Sequence, residues 1–183
     1  MCTSSKQLMG WTLGLIAKEQ SGDTNKFISA VLQKGGAEGW VQVELNEIYK
    51  TLPNVIWVQR EQHIFKNASE KVDFLIKCKD GPSTCVELKV ESLFQSADQG
   101  RSTMPHTQWR TVGDDVAKLS NDRNDTYRNE PAYVVAIVWS NEAISGMDGW
   151  LPHSGLTYER EQFLATAERS QWAVTVYVIT VTA

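Results

Sequence analysis

Apolar residues recur three and four apart around Phe27, Ile28, Val31 and Leu32, behind Asp23 or Thr24 as a cap and ahead of Gly35-Gly36 as a stop. That spacing predicts a helix. A second helix is expected from about Ala37 to Leu52, with Val41, Leu45, Ile48 and Leu52 along one line and Pro53 as its stop. The pattern then shortens to strand-like runs: Val55 to Gln59, with an extension through Phe65 open, then Lys71 to Cys78 and Cys85 to Glu91. Asp80-Gly81-Pro82-Ser83 makes a turn of the gap between the last two, so they read as a hairpin. Gln108 to Asn121 reads as a helix with Trp109, Val112, Val116 and Leu119 inward, and Ala132 to Trp139 is apolar enough for a strand covered on both faces. Asn141 to Thr157, with Gly146, Gly149, Pro152 and Gly155, is expected to be loop, Tyr158 to Arg169 a helix and Trp172 to Thr182 a final strand. Ser92 to Thr107 is a polar connection long enough to be a candidate functional loop.

These elements predict one α/β domain with a mixed sheet over residues 1–183. Its core spans about 37–139, with N-terminal helices in 7–35 and a C-terminal helix and strand in 158–183 packed on it. The 183 residues are 42% apolar and 22% charged, which excludes disordered and fibrous classes. No apolar run reaches the roughly 20 residues of a membrane span, so no membrane partner is expected. A formal net charge of −4 argues against coating a phosphate backbone non-specifically, while leaving room for a local acidic site. Three cysteines without CxxC spacing suggest neither a disulfide framework nor a zinc site. Leu8 to Ala17 has the length of a signal-peptide core. Only Lys6 precedes it, however, and no cleavage-type small-residue site follows. An N-terminal helix packed on the domain, in a cytoplasmic protein, is the expectation.

The chemistry concentrates on the hairpin. Val72, Phe74, Ile76 and Cys78 alternate with Asp73, Leu75 and Lys77, and Val86, Leu88 and Val90 alternate with Glu87, Lys89 and Glu91. Period-two alternation puts Asp73, Glu87 and Lys89 on one face if the register pairs even with even positions. The same register sends Cys78 and Cys85 to opposite faces and forbids a disulfide between them. Two converging carboxylates repel unless a cation lies between them, and oxygen ligands of that density suit Mg²⁺ or Mn²⁺. A lysine two residues after the second carboxylate can orient a water and stabilise charge developing on a phosphate. Glu44 lies on the line of the second helix expected to be buried, where a carboxylate is costly unless paired or metal-linked. Glu38, one turn nearer the helix start, is its competitor.

A helical Glu, then Asp on a strand, then Glu-x-Lys on the next resembles the PD-(D/E)XK nuclease superfamily. Here the motif reads Val72-Asp73 and Glu87-Leu88-Lys89, with Val72 standing where the family has proline. The resemblance implies a three-layer α/β/α sandwich around a mixed sheet, of the restriction-endonuclease-like kind, and metal-dependent hydrolysis of DNA or RNA phosphodiesters. It implies further that Asp73, Glu87 and the Leu88 carbonyl bind Mg²⁺ or Mn²⁺. Lys89 would handle the water, and Glu44 would reach the metal directly or through water. Gln108 matches a substrate-touching glutamine of some branches, and Lys118 on the same helix is placed to meet phosphate. Many enzymes of this kind act as dimers, which leaves a homodimer open. The plain alternatives are a solvated strand face for Glu87, Lys89 and Glu91, a solvated helix face for Asp114, Asp115 and Lys118, and a non-catalytic immunity- or assembly-type binding protein on the same fold.

Overall fold

In the computed structural model, which describes residues 3–21, 24–33, 36–92, 94–96, 100–101, 108–167 and 170–182, the chain opens with α1 (Ser5–Lys18), β1 (Gln20–Ser21), β2 (Thr24–Asn25), α2 (Lys26–Val31) and α3 (Glu38–Lys50). There follow β3 (Val55–Gln62), β4 (Val72–Cys78), β5 (Thr84–Val90), β6 (Phe94–Ser96) and β7 (Gly100–Arg101). The last part holds α4 (Gln108–Asn121), β8 (Ala132–Val138), α5 (Asn141–Trp150), β9 (Thr157–Ala167) and β10 (Ser170–Val181). Six strands form one mixed sheet in the order β3-β4-β5-β8-β10-β9. Among the described residues only β5 and β8 run parallel, and the crossover between them carries α4.

Every residue of β8 is buried, as its apolar run predicts. Tyr133, Val135 and Ile137 enter a core shared with α1, α2 and α3, while Ala132, Val134, Ala136 and Val138 enter a second core with α4 and α5. Helices therefore cover both faces of the sheet. Each fully buried Val or Ile stabilises by roughly 1.5–3 kcal/mol, so this strand ties both layers together. No helix among the described residues is long and apolar enough to cross a membrane.

The expected α3, α4, β3, β4, β5 and β10 are all present. Three expectations fail. First, α2 is capped by Asn25, whose side chain accepts the Ile28 N–H, and not by Asp23 or Thr24. Second, the supposed loop after residue 141 is the helix α5, capped by Ser140 accepting from Ala143 N–H, with a 3₁₀ turn at Leu151–His153. Its glycine serves packing: a Cβ on Gly146 would lie 2.8 Å from Trp109 Cδ1. Third, the supposed C-terminal helix is the strand β9, paired along its whole length with β10. At the outer edge of β9, the Gln20 amide donates to Thr166 C=O and accepts from Thr166 N–H, both at 3.0 Å.

Cys78 is disulfide-bonded, against the expectation from an odd cysteine count, whereas Cys85 is a free buried thiol. The two lie in different cores, so they are not joined to each other, as the even register requires. Of the long connection after Ser92, β6 and β7 pair antiparallel. Much of its remainder, His106 included, lies outside the described residues.

Candidate functional site

The β4–β5 ladder pairs Ile76 with Thr84, Leu75 with Cys85 and Phe74 with Val86, and then stops. Its next position would set Asp73 against Glu87, so the register is the one that brings both acids to the same rung. Beyond it β5 follows β8 as far as Val90 and β4 follows β3 back to Val72, so the two strands part company. Two donors of β5 on the abandoned side need acceptors, because an unpaired buried N–H costs as much as a lost hydrogen bond. Carboxylates supply them. Asp73 Oδ2 accepts from Leu88 N–H at 2.7 Å, and Glu38 Oε2 accepts from Val90 N–H at 3.2 Å. On β3 the residue opposite Asp73, Glu61, has φ 53, a left-handed conformation that is strained for a residue bearing a side chain.

Lys89 of β5 and, from α4, Lys118 and a fourth acid, Asp115, close the cluster. Lys118 Nζ lies 2.6 Å from Glu87 Oε1 and 3.5 Å from Asp115 Oδ1, and Lys89 Nζ lies 3.4 Å from Asp115 Oδ2. Glu87 Oε1 and Asp115 Oδ2 are both buried, with these ammonium groups as their partners. Glu87 is 4% exposed, and its carboxyl is pushed up to about 8 by burial first and the Asp73 charge second, against the pull of Lys118. Burial likewise pushes Glu38 up, with Asp73 and Asp115 adding to it and Lys89 opposing. Burial alone would lower Lys89, yet the Asp115 and Glu38 carboxylates outweigh it and hold the ammonium more tightly protonated. Four carboxylates thus face two ammonium groups. On the far side Gln42 Nε2 donates to Asp73 Oδ1 at 2.8 Å, and Arg60 Nη2 donates to Gln42 Oε1 at 2.7 Å.

Of the expected site residues, Asp73, Glu87, Lys89 and Lys118 come together, and Leu88 is present through its backbone N–H, its side chain being in the core. Glu44 does not join them; its charge acts on Lys26 of α2 instead. Among the helical acids the site takes Glu38. The reason is Tyr49, fully buried where Ile48 is only partly so. With Val41, Leu45 and Tyr49 as the inward line, Glu38 falls close to its centre and Glu44 about 100° away. Gln108 begins α4, and its side chain is outside the described residues. Asp115 departs from its expected solvated place. It lies three residues after Val112 and four before Leu119, on the buried line of α4, and that spacing was the available signal. Asp114 is exposed, as expected. Gln42 and Arg60 had no motif to mark them.

Asp73 and Glu87 could hold a cation between the two strands, with Glu38 and Asp115 flanking. A buried pocket with four acids, in which each Asp73 oxygen accepts one hydrogen bond and keeps a lone pair open, fits such an ion. Among the described residues no three acidic, histidine or cysteine side chains already stand at metal-binding distance. No family model, curated protein or solved structure matches the chain.

Proposed function

We propose that this protein is a Mg²⁺- or Mn²⁺-dependent nuclease on a restriction-endonuclease-like three-layer fold, hydrolysing phosphodiester bonds of DNA or RNA. The observation that carries the reading is the convergence of Asp73, Glu87 and Lys89 where the β4–β5 ladder ends, with Glu38 arriving from α3. Asp73 and Glu87 would hold the ion, with the Leu88 carbonyl as the third ligand that the family resemblance supplies. When bound, such an ion polarises the scissile phosphate and lowers the pKa of a coordinated water. Lys89, kept protonated by Asp115 and Glu38, orients the attacking water and offsets negative charge on the phosphate as it reacts. Lys118 is the present counter-charge of Glu87. Once Glu87 is neutralised by other means, that ammonium is free to meet a substrate oxygen.

The test is cleavage of mixed DNA and RNA substrates by the protein and its Glu87→Ala and Lys89→Ala variants, with Mg²⁺, Mn²⁺ or EDTA. Metal-dependent cleavage lost in both variants is the expected result; full activity in Glu87→Ala ends the proposal. One observation favours a second reading. The cluster is closed by its own lysines, which suits a binding protein that keeps the fold without turnover. Thermal melting that does not respond to millimolar Mn²⁺ would select that reading.

A further inference from the structure

We propose that Gln42 is a positioning residue that holds the Asp73 carboxylate ready for a divalent cation and keeps Arg60 from pairing with it directly. This rests on the metal-dependent reading above. A carboxylate has about four lone-pair positions. Asp73 spends one on each oxygen, to Gln42 Nε2 and to Leu88 N–H, so α3 and β5 together set its orientation while a lone pair on each oxygen stays open.

Arg60 sits on β3 opposite Phe74, one residue from Asp73 in the neighbouring strand, and its buried Nε has no hydrogen-bond partner. An arginine beside a carboxylate tends to take both oxygens in a bidentate pair. That pair would fill the positions a cation needs. Gln42 stands between them. Arginine only donates and carboxylate only accepts, so the group between must accept at one end, donate at the other and carry no charge. Glutamine meets all three conditions. Glutamate could not donate to Asp73, and lysine could not accept from Arg60. The amide's direction is set from both sides at once, with Oε1 toward Arg60 and Nε2 toward Asp73.

The experiment is Mn²⁺ titration of the full chain, followed by calorimetry or by the spin resonance of free Mn²⁺, alongside cleavage. Gln42→Ala should weaken Mn²⁺ binding about tenfold or more, the usual cost of losing a group that orients a metal ligand. Arg60→Ala should change it little. The Gln42→Ala/Arg60→Ala double variant should recover most of the loss, because the competing cation has gone. Gln42→Met, similar in size but unable to bond at either end, takes the place of Gln42→Ala if near-ultraviolet circular dichroism shows that variant misfolded. Wild-type affinity in the Gln42 variant, or a double variant no better than the single, would overturn the inference while leaving the nuclease reading intact. A folded wild type that binds no Mn²⁺ would overturn both, and is told apart because the unmodified protein itself fails.

Discussion

The two halves of the sheet handle their backbone hydrogen bonds in opposite ways. In β9–β10 the register runs unbroken from Ser170 opposite Ala167 to Thr180 opposite Thr157. In β4–β5 it lasts for three pairs. The complete ladder satisfies the facing backbone groups of both strands without side chains. The interrupted one hands Leu88 N–H and Val90 N–H to Asp73 and Glu38, and so draws acids to one place. Pairing is complete at one end of the sheet, and the acids and lysines gather where it stops.

That division can be broken by mutation. The largest effect should fall on activity: Glu87→Ala or Lys89→Ala should lower cleavage by at least about 100-fold, the scale expected for a group acting on the reacting atoms, with melting little changed by Lys89→Ala. The mirror experiment is Ile137→Ala in the central strand, fully buried, which should cost about 2–5 kcal/mol in urea unfolding and leave Mn²⁺ affinity of the folded protein unaltered. If Ile137→Ala instead removed metal binding at constant fold, the separation of roles would fail. Next in size is the metal itself. Mn²⁺ at 100 times its dissociation constant should stabilise by about 2.7 kcal/mol, and Asp73→Asn should abolish that gain.

A pH series sharpens the contrast further. Glu87 titrates near 8 when folded against an ordinary 4.5, so between those values the folded state holds a proton that the unfolded state has lost. Stability without metal should therefore fall as pH rises from about 4.5 to about 8 and then level off. Mn²⁺ affinity should climb over the same interval, since the ligand must lose its proton. Urea midpoints measured from pH 4.5 to 9 check the first, and a slope unchanged by Glu87→Gln would refute the assignment. The smallest effect separates the two helical acids. Glu44→Gln should stay within about 0.5 kcal/mol of wild type in stability with full activity, whereas Glu38→Gln should reduce cleavage.

Much of this site could be read in the chain because its logic is local. Parity along the hairpin tied the meeting of Asp73 and Glu87 to the separation of Cys78 from Cys85, and the register that the structure shows is the one that gives both. The helical acid was harder. Choosing Glu38 over Glu44 requires knowing that Tyr49 and not Ile48 is fully buried, and both are apolar enough to go inside. Asp115 had the right spacing, but a charged residue beside exposed Asp114 reads as surface until a lysine from strand β5 is seen against it. The failures at α5 and β9 share a cause. Gly146 argues against a helix until Trp109 is found over it, and Tyr158 to Arg169 suits a helix until β10 pairs with it. Both are settled by partners distant in sequence or by packing, which override intrinsic propensity.

The Gln20 amide at Thr166 bears on the behaviour of this protein in a crowded solution. A sheet edge that still offers an N–H and a C=O is a template on which another chain can add a strand. Gln20 presents an acceptor and a donor to Thr166 with the spacing of a short piece of backbone, so the molecule supplies its own end piece there. The neighbouring Leu164 is 57% exposed on this same strand. Without that end piece, the combination of free edge and exposed leucine would be a seed for sheet-to-sheet aggregation.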